Sequence, residues 1–118
     1  MIKIIITIAI FLSINLSANQ NFKQACNEGK MQSCIELGML YYTGENVKKD
    51  MKKSQKLFKK ACKNRVSRGC YYLGYIFLRG GDGIEKSNKK AMLAFGRGCN
   101  IGSERSCVQY HMLKSKGY

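Results

Sequence analysis

The sequence of 118 residues has no proline, no tryptophan and one histidine, and 21 lysines and arginines outnumber its 7 acidic residues. A single histidine excludes a metal site built from several histidines and a mechanism with several histidine-dependent steps. The apolar fraction of 45% is too high for a disordered basic tail. The length predicts one domain at most, since a domain usually has about 100–200 residues.

The first 18 residues have the features of a cleaved secretory signal peptide. Lys3 is a minimal basic segment, residues 4–12 are apolar except for Thr7, and Leu16-Ser17-Ala18 resembles a cleavage site. The apolar run is too short for a stable transmembrane helix, which needs about 20 residues; an uncleaved N-terminal anchor is the alternative. Cleavage after Ala18 leaves 100 residues with a net charge of +13 and no stable membrane span. We therefore predict a signal peptide at 1–18 and a secreted or periplasmic product.

The six cysteines form three C-x7-C pairs, and corresponding members of successive pairs are 36 and then 37 residues apart. The flanking residues repeat as well. Phe22-Lys-Gln-Ala-Cys26 aligns with Phe58-Lys-Lys-Ala-Cys62, and Phe95 and Cys99 hold the same places in a third unit. Self-similarity at a fixed period is the signature of a repeat protein. An exported chain meets an oxidising environment, which favours disulfides over thiolate–zinc sites.

The spacing within each pair constrains the path of the chain. Residues eight positions apart on one straight helix are separated by about 12 Å along its axis, whereas a disulfide requires Cα atoms about 4.4–6.8 Å apart. If the cysteines of a pair are bonded, the chain must reverse between them, and turn-forming asparagine and glycine residues lie in or beside that interval in each unit. A zinc site is the alternative, although zinc ligands usually follow C-x2–4-C spacing.

Helical periodicity is clearest from Met51 to Lys63. Lysines recur on one side at i, i+3, i+4 and i+7 spacing, and less polar residues occupy the other side: Ser54, Leu57, Phe58, Ala61 and Cys62. Asp50 and Ser87 precede equivalent helices and suit N-cap positions.

A second helix in each unit is predicted around residues 33–43 and 69–79, and its higher apolar content indicates deeper burial. Gly38 and Gly74 lie within these helices, where glycine costs about 1 kcal/mol relative to alanine. Close approach of a neighbouring helix would explain both glycines. Because no strand alternation or hairpin signal is present, the fold class is all-α.

The pattern A-C-x7-C-x2-L-G-x2-Y/F-x2-G, followed by V/I-x-K-D/S, resembles the Sel-like repeat, a relative of the tetratricopeptide repeat. The version with paired cysteines is similar to the Helicobacter cysteine-rich (Hcp) family. The resemblance covers about residues 20–118. It implies an α/α superhelix of about three disulfide-linked helix–turn–helix repeats in a domain at 19–118, with units at about 20–50, 51–87 and 88–118.

The resemblance also implies three disulfides, Cys26–Cys34, Cys62–Cys70 and Cys99–Cys107. In the third unit Tyr110-His111 replaces Leu-Gly, so we interpret it as a capping unit. The Hcp likeness further implies a beta-lactamase-like or penicillin-binding activity.

The residues themselves offer little support for catalysis. Ser87-Asn-Lys-Lys90 matches S-x-x-K, but the S-D-N and K-T-G partners of serine beta-lactamases are missing, and Ser87 is better explained as an N-cap. His111 has no second histidine with which to bind a metal, and we expect it on the surface or in the packing of the last helix. No catalytic residue is identified, and no metal or cofactor is expected.

The basic surface and the tyrosines at 41, 42, 71, 72 and 75 each have two interpretations. The lysines either bind an anionic partner or form a solvated face, and the tyrosines either line a peptide groove or pack between repeats. Nucleic acid is not an expected partner of an exported protein. We predict a secreted or periplasmic scaffold that binds a peptide, a cell-wall (peptidoglycan) fragment or a protein. The alternative is an Hcp-type beta-lactamase-like protein with a beta-lactam ligand.

Overall fold

The computed structural model describes residues 19–118, so the predicted signal peptide at 1–18 lies outside the described residues. The described chain folds into six helices and confirms the all-α class; its only β-type pairing is an isolated bridge between Gly81 and Ile84. The helices are α1 (19–27), α2 (Met31–Thr43), α3 (Met51–Lys63), α4 (Ser67–Arg79), α5 (Asn88–Ile101) and α6 (Glu104–Ser115).

From α2 onward, each helix packs mainly on its neighbours in the sequence. α3 lies between α2 and α4, α5 lies between α4 and α6, and α4 touches α6 slightly. This one-dimensional arrangement is that of a repeat superhelix. Among helices α2 to α6, none is long and apolar enough to cross a membrane.

Helix α3 has the predicted bounds because its start and its buried face are both encoded locally. The Asp50 carboxylate accepts a hydrogen bond from the Lys53 N–H at 3.0 Å, so the predicted N-cap is confirmed. The predicted apolar side is buried except for Leu57, which is half-buried. The lysines on the opposite side are exposed apart from half-buried Lys60, whose Nζ donates to the Cys26 carbonyl at 3.3 Å.

Helices α2 and α4 begin two residues before the predicted starts, at Met31 and Ser67. Their N-cap residues, Lys30 and Val66, make no side-chain capping hydrogen bond. The start of these helices therefore carries no capping signal that the sequence could reveal.

Gly38 and Gly74 each receive a phenylalanine ring from the next helix. A Cβ atom at Gly38 would lie 2.7 Å from Cε1 of Phe58, and Phe95 packs on Gly74 in the same way. The predicted close approach is confirmed. The equivalent residue in α6 is His111, which is exposed. A side chain therefore replaces the bare glycine backbone on which a phenylalanine packs in the other units, which supports the interpretation of the third unit as a cap.

Three disulfides connect consecutive helices: Cys26–Cys34, Cys62–Cys70 and Cys99–Cys107, with Cα–Cα distances of 4.6, 4.5 and 4.4 Å. The chain reverses between the two cysteines of each pair, through turns that contain Gly29, Arg65 and Gly102 at positive φ. The first two disulfides are buried, whereas Cys99 and Cys107 are half-buried.

Candidate functional site

Three grooves occupy equivalent places in successive units, and we call them the first, second and third grooves. The first is lined by Lys23, Cys26, Asn27, Leu37, Tyr41, Lys53, Lys56 and Leu57. The second is lined by Gln55, Lys59, Cys62, Lys63, Leu73, Phe77, Lys90, Leu93, Ala94 and Arg97. The third is lined by Met92, Leu93, Gly96, Arg97, Cys99, Asn100, Tyr110 and His111. Many of these residues correspond at the 36- and 37-residue offsets, so the repeat itself generates the row.

The second groove, of about 360 Å³, lies between α3, α4 and α5. Its apolar floor includes Leu73 and Phe77, and its rim carries three lysines and Arg97. Lys90 Nζ lies 5.6 Å from the centroid of the Phe77 ring, within cation–π range. Leu93 is also on this surface and is 63% exposed, so a large apolar side chain faces solvent beside the cations.

The first groove, of about 240 Å³, has the same design one unit earlier. Lys53 Nζ lies 5.3 Å from the centroid of the Tyr41 ring, and these two residues correspond to Lys90 and Phe77. Lys23 corresponds to Lys59 of the second groove. A cation above an aromatic ring, next to an apolar floor, is therefore a repeated feature.

The third groove is the largest, at about 470 Å³, and the least cationic. Gly96 takes the place of Lys59, and Asn100 takes that of Lys63. Arg97, which it shares with the second groove, is its one lysine or arginine. The positive charge is thus concentrated in the first two grooves.

A half-cystine lines each groove: Cys26, Cys62 and Cys99. Each is bonded to the following helix. The disulfides therefore hold the groove walls in place as well as linking the helices.

No carboxylate lines any of the three grooves. The ion pairs within residues 19–118 are Lys30–Glu28 at 4.0 Å and Lys49–Asp82 at 3.4 Å, and neither involves a groove residue. The cations at the rim are therefore available to an anionic partner.

The sequence-predicted candidates for catalysis are not brought together. The Ser87 hydroxyl accepts the Lys90 N–H at 3.1 Å, which makes it the N-cap of α5 as predicted. His111 is exposed on α6, and its ring centroid is 5.3 Å from that of Tyr110. Over the part of the chain that the structure describes, no group of three or more histidine, cysteine, aspartate or glutamate residues could hold a metal ion.

The five tyrosines do not form one surface. Tyr41 lines the first groove, whereas Tyr42, Tyr71, Tyr72 and Tyr75 surround a separate cavity. All five are half-buried, so packing between helices accounts for part of each side chain, and the peptide groove stays a prediction.

Sequence reasoning did not identify Phe77, Leu93 and Arg97 as groove residues. At the 37-residue offset, Lys90 corresponds to Lys53 and Arg97 corresponds to Lys60. At the 36-residue offset, Phe77 corresponds to Tyr41. Aligning the units for aromatic and cationic pairs could have revealed the repeated pattern. Only the structure shows that the lysine and the aromatic ring of each pair, which lie on different helices, are in contact.

Comparison with known families gives a match to the Sel1 repeat model over residues 32–65 and 67–93, which together exceed half of the chain. Cytochrome c oxidase assembly factor 7 of Xenopus tropicalis is 30% identical over 101 residues. That alignment covers 81% of this chain and 44% of the relative, so the chain spans less than half of the relative's length.

Solved structures show the same likeness. Cysteine rich protein B of Helicobacter pylori matches with a TM-score of 0.70 and 36% identity, over 75% of this chain and 66% of that one. A Sel1 repeat protein from Oxalobacter formigenes matches with a TM-score of 0.75 over 84% of this chain and 40% of that one. At 24% identity, the second match supports the fold alone.

Proposed function

Because the chain belongs to the Sel1 repeat family, we propose that it is a binding scaffold whose row of grooves receives an acidic peptide segment of a partner protein. Sel1 repeats generally mediate protein interactions. A peptide is favoured over a compact ligand because the grooves recur along the stack, as the side chains of an extended chain do.

The observation that carries this proposal is the pairing of cation and apolar floor in successive grooves. Lys53 over Tyr41 and Lys90 over Phe77 repeat one arrangement, with no carboxylate in either lining. Acidic side chains can pair with the lysines while apolar side chains of the same segment cover the floor. Complementary charge gives such a surface its specificity and its association rate.

We also propose that the protein works outside the cytoplasm, in the secreted or periplasmic location that the sequence predicts. Three disulfides persist in oxidising compartments and are rare in the cytosol. The signal-peptide features of residues 1–18 support the same location.

A beta-lactam or a cell-wall fragment is the competing ligand. The 36% identity to the Helicobacter pylori protein supports this candidate, because the Hcp likeness implies a beta-lactamase-like or penicillin-binding activity. Against hydrolysis, the hydroxyl of Ser87 already accepts a capping hydrogen bond, and His111 lies on another helix beside Tyr110. Binding without hydrolysis remains compatible with the grooves.

The test uses a fluorescein-labelled peptide of alternating glutamate and leucine, and oxidised protein, with fluorescence polarisation as the readout. We expect binding that weakens as salt rises, because exposed charges are screened beyond about 10 Å at 0.1 M salt. The double variant Lys59→Gln/Lys90→Gln should weaken binding about tenfold, which corresponds to about 0.7 kcal/mol per exposed pair.

The matched control is Lys48→Gln/Lys89→Gln, which removes two exposed lysines outside the grooves and lowers the net charge equally. Equal loss of affinity in the two double variants would show that net charge, not the grooves, attracts the peptide. Tighter binding of soluble peptidoglycan fragments than of the peptide would favour the cell-wall ligand instead.

A further inference from the structure

The cavity around the four tyrosines, which we call the tyrosine cavity, lies on the other side of α4 from the second groove. Tyr71, Tyr72 and Tyr75 line it, whereas Leu73 and Phe77 face the groove. Tyr42 and Met39 of α2 and Phe58 of α3 complete the wall. The grooves and this cavity are therefore separate sites.

The volume of the tyrosine cavity is about 240 Å³. A buried cavity of about 150 Å³ accommodates benzene, so this one has room for a single substituted ring. The ring of Tyr71 stands edge-on to that of Tyr75, with centroids 5.0 Å apart, and the Phe58 and Tyr72 centroids are 5.2 Å apart. Walls of this kind favour an aromatic guest, since rings prefer tilted and edge-to-face contacts.

Arginines are concentrated around this cavity. Arg79 donates from Nη1 to the Tyr42 hydroxyl at 3.2 Å, and the Arg68 guanidinium lies 5.8 Å from the centroid of the Tyr72 ring. The charge of Arg105 acts on the phenol of Tyr71. These are three of the five arginines in the sequence, while lysines predominate in the first two grooves.

This difference between the two faces has a chemical meaning. The guanidinium group of arginine presents a planar fork of donors that matches the two oxygens of a carboxylate. The ammonium group of lysine is a compact charge without this geometry. All three arginines are exposed, and within residues 19–118 none is within ion-pairing distance of a carboxylate. Their donors are available to an anion that reaches the cavity mouth.

The phenol of Tyr71 is uncharged. The pKa of Tyr71 is raised, first by the hydrogen bond with the Tyr75 side chain and then by burial. The positive charge of Arg105 offsets part of this rise. Tyr71 therefore stays protonated at neutral pH and adds no negative charge that would repel an anionic group.

We propose that the tyrosine cavity binds one aromatic ring that carries a carboxylate, with the ring among the tyrosines and the carboxylate at Arg79, which already contacts Tyr42 of the cavity wall. A cationic guest is disfavoured by the same arginines, and a purely apolar one leaves them unused. Two sources supply such a group: a free aryl acid, and the C-terminus of a peptide that ends in phenylalanine. Both present the same chemistry.

The test titrates oxidised protein with 3-phenylpropanoate and follows the amide and tyrosine-ring signals by NMR. The matched probe is 3-phenylpropanamide, which has the same ring without the charge. We expect shifts at the tyrosine cavity with the acid, and at least tenfold weaker binding of the amide, because a hydrogen bond to a charged group contributes about 1.5–3 kcal/mol. Equal binding of the two probes, absence of binding, or shifts confined to the grooves would overturn the proposal.

A second arm identifies the source of the carboxylate. A short peptide ending in phenylalanine is compared as the free acid and as the C-terminal amide. Tighter binding of the free-acid peptide than of 3-phenylpropanoate assigns the cavity to peptide C-termini, and the reverse order assigns it to free aryl acids.

The variant Arg79→Gln should weaken binding of 3-phenylpropanoate about tenfold, since it removes a charged donor at the cavity. Arg65→Gln is the control, because Arg65 is also exposed but lines none of the three grooves, and no hydrogen bond joins it to a tyrosine of the cavity wall as one joins Arg79 to Tyr42. Both substitutions are at exposed residues, so loss of folding is not expected. Equal weakening by both variants contradicts a carboxylate at Arg79.

Discussion

The ring of Phe95 lies so close to Gly74 that a Cβ atom at residue 74 would be 2.5 Å from Cε1 of the ring. α4 and α5 are therefore in contact through a ring and a bare backbone. Any larger residue at 74 must displace Phe95, which is fully buried.

We expect Gly74→Ala to destabilise the protein by up to about 2 kcal/mol. Overpacking a core costs about 1–3 kcal/mol, and the better helix propensity of alanine returns about 1 kcal/mol at most. Urea denaturation followed by circular dichroism measures the change.

The matched experiment repeats Gly74→Ala in a Phe95→Leu background, where the aromatic ring is absent. The cost of the alanine should fall there, since residues in contact couple in a double-mutant cycle. An equal cost in both backgrounds would mean that the clash lies elsewhere.

The three disulfides should differ in their resistance to reduction. Cys99 and Cys107 are half-buried, whereas the other four cysteines are at most 2% exposed. Attack by a thiolate requires access to the sulfur, so a mild reductant should open Cys99–Cys107 first. Alkylation and peptide mass mapping over time give the order, and earlier labelling of Cys62 and Cys70 would contradict it.

Ser54→Ala should cost about 1 kcal/mol, the usual net contribution of one hydrogen bond. The buried Ser54 hydroxyl donates to the Gly38 carbonyl at 2.8 Å and so links α3 to α2. Ser115→Ala is the control, because the Ser115 hydroxyl also donates to a backbone carbonyl at 2.8 Å but on the exposed surface. Similar unfolding midpoints for the two variants would show that the bond between α3 and α2 contributes no more to stability than a hydrogen bond on the surface.

Ser87→Ala should lower stability by about 1 kcal/mol through loss of the N-cap. Asp50→Ala, which removes the equivalent cap of α3, should have a similar effect. With a chromogenic cephalosporin, we expect no difference in turnover between either variant and the parent. Loss of turnover in Ser87→Ala alone would identify Ser87 as a nucleophile and favour an enzyme over a binding scaffold.

The raised pKa of Tyr71 predicts a loss of stability at alkaline pH. The unfolded chain releases this proton near pH 10, its ordinary pKa, whereas the folded chain retains it to higher pH. The stabilisation is thus complete below about pH 10 and is lost as pH rises through the folded pKa. Urea denaturation between about pH 9 and 11 should show a shallower decline in Tyr71→Phe. Tyr118→Phe, at an exposed position, is the control.

Much of the fold could be predicted because its signals are local. The 36- and 37-residue period indicated a helical repeat. The bounds of α3 followed from Asp50 and the lysine spacing, and glycine at 38 and 74 indicated tight helix contacts. The starts of α2 and α4 could not be predicted, because Lys30 and Val66 give no capping signal.

The candidate sites were harder to predict, since they form between helices from different units. Tyr41 and Tyr42 are adjacent in the sequence, yet one lines the first groove and the other the tyrosine cavity. A helix turns about 100° per residue, so neighbours face different partners, and the packing of α2 on α3 decides which. Composition alone indicated a basic surface. It did not show that lysines line the first two grooves while Arg68 and Arg79 contact tyrosines of the cavity wall.

The loop between α4 and α5 is one residue longer than that between α2 and α3. Both loops close with the same hydrogen bond at 2.9 Å, Asp50 N–H to the Tyr41 carbonyl and Ser87 N–H to the Phe77 carbonyl. The glycine-rich turn around Asp82 absorbs the extra residue before the next helix begins. This junction is thus an insertion point where a reporter or an affinity label could be encoded without altering how successive units stack.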